Sequence, residues 1–115
     1  MTNFSFLMEA ARRDLSKYLE LQCAANYSLA LRDTSDFLGE IEENLERWAE
    51  LLAKGDLSRD DFEWLVIGKK ALIKFPGLAQ AGLSKDTQES LRTGIINTLL
   101  ATTFKTFLTQ SQGNS

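Results

Sequence analysis

The sequence predicts an all-α fold: an up-down antiparallel four-helix bundle whose third helix is kinked or broken at Pro76. Three observations carry that expectation. Apolar residues recur at alternating three- and four-residue spacing, the signature of a helix with one buried face. The single proline and most of the glycines fall where such blocks should stop or bend. Serines stand at the positions that cap helix starts.

The first block runs from about residue 4 to 31. Phe4, Met8, Ala11, Leu15, Tyr18, Gln22, Ala25 and Leu29 form a heptad seam with Gln22 as its one polar member, read as a hydrogen-bonded core or seam-edge residue. "RDTSD" (32–36) is rich in cap-forming side chains, so a second helix is expected to begin at Thr34 or Ser35. Leu38, Ile41, Leu45, Trp48 and Leu52 keep its rhythm, and Gly55 stops it after Lys54. Ser58 caps the third block, with Leu57 and Phe62 placed as a hydrophobic staple. Phe62, Leu65, Val66, Leu72, Ile73 and Phe75 form its expected apolar face. Pro76 lacks an N–H and disfavours helical geometry at Phe75, so a kink or break falls there, with one more turn over 78–81. Gly82 closes the block and Ser84 caps a fourth helix over about 85–108. "GIINTLLATTFKTF" (94–107) is β-branched enough to be a strand in isolation, but a lone strand has no partner here. Long helices joined by short connections fold back on their neighbours. One domain is expected over 1–110, with 111–115 as a disordered tail.

Composition narrows the chemistry. At 115 residues and 43% hydrophobic content the chain can bury a cooperative core without staples. Histidine is absent, which removes imidazole triads and Glu-x-x-His di-iron sites. One cysteine, Cys23, excludes an intrachain disulfide framework, makes structural zinc implausible and fits a reducing compartment. No basic leader with an apolar run opens the sequence, so no signal peptide is expected. No apolar stretch approaches the ~20 residues that span a bilayer. The expectation is a cytoplasmic protein with no catalytic site, cofactor, metal or membrane role.

Charge is segregated. Residues 33–63 hold eleven carboxylates against Arg47, Lys54 and Arg59, while the whole chain carries a net −3. The plain reading is a solvated face complemented by Arg12, Arg13, Lys17, Lys69, Lys70 and Lys74 on neighbouring helices; the functional one is a docking face for a basic partner. No Asp-rich calcium loop occurs in it.

Two short stretches resemble functional devices. "GKK" within "VIGKKALIK" (66–74) has only the Gly-Lys pair of a phosphate loop. "PGLAQAGLSKDTQESLR" (76–92) has the rhythm of a DNA-reading helix-turn-helix, through Gly82, Leu83, Ser84 and Leu91. Gln88 stands where a β-branched anchor belongs, Leu78 where a small residue belongs, and Asp86 and Glu89 would face phosphates with the wrong sign. An ordinary helix corner is the preferred reading. A nucleic-acid-binding regulator using 78–92, with Lys85 and Arg92 as contacts, is the alternative.

The fourth helix is apolar over too wide an arc. Leu91, Ile95, Leu99 and Thr102 make one stripe; Ile96, Leu100, Phe104 and Phe107 make a second, rotated by about 100°. A bundle helix needs roughly three apolar positions per heptad. The second stripe is therefore expected to face either an extra intrachain contact or a partner. The leading reading is a small interaction or adaptor module, of a kind common among bacterial and phage proteins, self-associating as a homodimer through Ile96, Leu100, Phe104 and Phe107 or meeting another protein there.

Overall fold

The computed structural model describes residues 2–109, whose regular elements are all helical with no strand among them. Five α-helices follow in order: α1 (Thr2–Gln22), α2 (Tyr27–Lys54), α3 (Arg59–Ile67), α4 (Pro76–Gln80) and α5 (Lys85–Phe104). A 3₁₀ turn (Ala24–Asn26) joins α1 to α2, another (Lys70–Leu72) follows α3, and α5 runs on into a π-helical turn (Lys105–Thr109). The molecule measures 48 × 22 × 20 Å. Its length is set by α2, whose 28 residues extend ~42 Å at 1.5 Å per residue. The expected tail at 111–115 lies outside the described residues.

The serine and glycine signals act as expected. Ser58 Oγ accepts from the Asp61 N–H at 3.0 Å, and Ser84 Oγ accepts from the Thr87 N–H at 3.1 Å. Gly55 ends α2 in the left-handed region at φ 82°, which a side chain would strain.

Two expected boundaries are corrected. The first reversal falls at Cys23, not at 32–36. Cys23 (φ −145°, ψ 58°) and Asn26 (φ −125°, ψ 29°) leave helical geometry there, and the small Ala24 and Ala25 let the chain turn back within one 3₁₀ turn. The seam accordingly ends early: Leu19 and Cys23 are buried, whereas Gln22 and Ala25 are exposed. "RDTSD" lies well inside α2, because Asp33 and Thr34 are buried by tertiary packing. Asp33 Oδ2 accepts from the Gly77 N–H at 3.2 Å, so this carboxylate satisfies the start of α4 rather than of α2. The second correction is at the third block, which leaves the helix at Gly68, before the proline. A 3₁₀ turn and an extended stretch carry it to Phe75, and Pro76 begins α4 as its first residue, where a missing N–H costs nothing. The third arm is thus segmented rather than kinked.

Side-chain contacts fix the directions. Thr102 donates to Asp14 at 2.7 Å while Tyr18 rests on Gly94, so α1 and α5 are antiparallel. Phe4 shares a surface hollow with Glu46 and Lys54, and Arg12 one with Glu42, so α2 returns alongside α1. Arg59 lies over Phe104 and Lys70 reaches Glu89, so the third arm runs antiparallel to α5.

Gly94 makes the α1–α5 approach possible. A methyl there would fall on the far end of the Tyr18 ring. Gly94→Ala is expected to lower stability by about 1 kcal/mol, because displacing Tyr18 outweighs the ~1 kcal/mol gain in helix propensity. In a Tyr18→Ala background the same change should stabilise instead. Urea unfolding of the four chains reads this directly, and a gain in both backgrounds would show that the tyrosine does not need that seat.

Candidate interaction surface

α3 is short, and its register decides what it shows to water. Phe62 and Val66 are buried four residues apart and turn one face into the core. Trp64, two residues from each, then points the opposite way at ~200° around the axis. It is 73% exposed, and Ile67, three residues on, is 40% exposed. Asp60 and Glu63 complete this outer face, lining one shallow depression with Trp64 and Ile67. A second depression begins at the same Ile67 and continues over Gly68, Ala71, Lys70, Lys74, Glu89 and Arg92.

Polar contacts hold the segment after α3 against α5. Lys70 Nζ lies 2.7 Å from Glu89 Oε2 and donates to Thr93 Oγ1 at 3.2 Å. Arg92 Nε donates to the Ile73 carbonyl at 2.7 Å, and its guanidinium stands 5.3 Å from the Phe75 ring centre. The hydrogen bond from Lys70 is the main cause that holds the Glu89 carboxyl below its ordinary value, with Arg92 adding to it. That contribution to stability is present above the ordinary carboxylate range and is lost as pH falls through the depressed one.

The expected site residues lie elsewhere. Ile96, Leu100 and Phe107 are 2%, 6% and 7% exposed, and Phe104 is half-buried. The second stripe of α5 is therefore covered by the chain itself. The reason is position: α5 meets α1 along one arc and the third arm along another, so both arcs are core. Phe104 packs edge-on against Phe62, ring centres 5.8 Å apart at 60°, under the Arg59 guanidinium. Of the two alternative nucleic-acid contacts, Lys85 is exposed at the start of α5, while Arg92 is engaged by Ile73, Phe75 and Glu89. α4, the first helix of the look-alike, has five residues.

The acidic segment differs from expectation too. Glu40, Glu42, Glu43, Glu46 and Glu50 make no ion pair among the described residues. Of the basic residues expected to complement them, Arg13 lies 3.7 Å from Asp14 and Lys70 holds Glu89, while Lys69 stands over the Trp48 ring of α2 and Arg12 shares a hollow with Glu42. Leu65 and Leu72, expected inside, are each 37% exposed.

Trp64 and Ile67 are the residues that periodicity missed. The signal was available: once Phe62 and Val66 share the inner face, an aromatic midway between them cannot join it. Cys23 is buried, and burial pushes its thiol above the ordinary value, away from the thiolate that nucleophilic chemistry needs. No helix of the described residues is long and apolar enough to cross a membrane. Against known protein families, curated proteins and solved structures, the chain matches none.

Proposed function

We propose that this chain is a non-enzymatic helical interaction module, an up-down bundle with a segmented third arm, that docks through the outer face of that arm. The observation that carries this reading is Trp64, a tryptophan 73% exposed on the side of α3 opposite its core face. Burying an aromatic side chain is worth roughly 1.5–3 kcal/mol, and tryptophan is the residue most enriched at binding hot spots. Ile67 extends the apolar surface, and charged groups at both ends give it the polar rim of a docking site. The raised Cys23 thiol and the absence of histidine in the sequence weigh against catalysis. A single cysteine suits a reducing, cytoplasmic setting.

A photo-cross-linking residue placed at position 64 tests the reading in a lysate of the protein's own cells. A discrete adduct is expected from position 64 and none from Leu21, which is equally solvent-facing at the far end of α1. Absence of a position-specific adduct would show that the tryptophan is merely exposed.

A further inference from the structure

The outer face of the third arm reads, along the chain, acid, then apolar, then base. Asp60 and Glu63 line the depression on one side of Ile67; Lys70, Lys74 and Arg92 line the other, with Glu89 the one carboxylate among them. Ile67 belongs to both. Such an order is self-complementary under one operation, a two-fold rotation through its centre, which reverses the arm and sets each acidic end on a basic one. Asp60 lines the acidic depression and Lys74 the basic one, so the rotation sets Asp60 of one copy over the half that holds Lys74 of the other. Trp64 then comes against the stretch from Gly68 to Ala71, where no side chain exceeds a methyl except those of lysines directed to Trp48 and Glu89. That leaves room for an indole.

We propose that the occupant of this surface is a second copy of the same chain, seated antiparallel across a two-fold axis at Ile67, with Asp60 of each copy facing Lys74 of the other. The proposal rests on the docking role assigned to the third arm and names its partner. Both copies contribute a Trp64 and an Ile67, so the apolar centre is covered twice by one pairing. Each copy brings two exposed large apolar residues, Trp64 and Ile67, to the centre of the contact, so the dimer is expected to be weak, with a dissociation constant in the micromolar range. Its charges lie at the rim, where they set register and salt dependence more than affinity.

Sedimentation equilibrium of the purified full chain, from about 1 to 100 μM, tests it with two reversals of exposed residues. Asp60→Lys sets lysine against Lys74, and Lys74→Asp sets carboxylate against Asp60. Each alone is expected to weaken dimerisation about tenfold, because like charges then face each other twice. Mixed in equal amounts the two variants are complementary and should form a heterodimer at least as tight as the parent. The double variant Asp60→Lys, Lys74→Asp should pair with itself. Circular dichroism checks that every chain keeps its helices. A wild-type monomer up to the highest concentration would overturn the second-copy assignment, and a mixture no tighter than the single variants would overturn the register. Neither result touches the docking role itself, which stands or falls on the adduct at position 64.

Discussion

Phe62→Ala is expected to lower the unfolding free energy by ~3–5 kcal/mol, whereas Trp64→Ala, two residues away on the same helix, should cost under about 1 kcal/mol. Phe62 is fully buried and meets the Phe104 ring edge-on, at a junction that also takes in α2 and the Arg59 side chain. Removing it deletes most of a phenyl group's transfer energy and leaves a void that three elements must collapse into. A domain of this size has about 5–15 kcal/mol in total, so the variant should unfold at much lower urea, with its slope unchanged. Trp64 has nearly the same apolar area but keeps most of it in water, so truncation forfeits little in the isolated chain. The contrast bears on function as well as fold. Equal costs at the two positions would mean that Trp64 is a packing residue and would remove the observation on which the docking surface rests. Under conditions where the chain is dimeric, the Trp64 cost should grow with protein concentration; that of Phe62 should not.

What the sequence showed and what it hid divide along a physical line. Helix ends fixed by local chemistry were legible: Ser58 and Ser84 accept from their own third residues, and Gly55 takes the left-handed turn that ends α2. So was the excess apolar arc of α5, since one-residue offsets rotate a side chain by about 100° whatever surrounds it. What covers that arc was not, because only the packed molecule brings Phe62 and the third arm against Phe104. Cap-forming residues misled for the same reason. The side chains of "RDTSD" are equally suited to start a helix or to serve another helix, and the choice depends on Gly77, forty-four residues away. The turn at Cys23 carries no glycine or proline to announce it. The outward Trp64 was readable in principle from its register against Phe62 and Val66, but an aromatic-rich segment invites the assumption that all its rings lie inside.

Asp33→Ala is expected to destabilise the protein by ~1–2 kcal/mol, and to do so at the third arm. Asp33 lies in the second turn of α2, almost wholly shielded from water, and gives one oxygen to the Gly77 N–H at the first turn of α4. Its other oxygen has no hydrogen bond, with the Arg32 guanidinium 3.9 Å away. Three effects compete when the carboxylate is removed. The Gly77 N–H loses its partner in a buried place, at a cost of about 1–3 kcal/mol. Alanine is the better helix former by roughly 0.6 kcal/mol. Relief from burying a charge also favours the variant, though Arg32 and the positive end of α4 already offset part of that burial. The lost acceptor is the largest of the three, so the net sign is destabilising. Asp33→Asn separates the causes, since it keeps an acceptor for Gly77 and removes only the charge; it should retain most of the stability. Hydrogen exchange should show the amides of 77–81 losing protection in Asp33→Ala while those of α1 and the middle of α5 keep theirs. If alanine proves neutral and asparagine destabilising, the charge rather than the hydrogen bond anchors α4. If both are neutral, Leu78 and Phe75 hold this segment without help from α2's carboxylate.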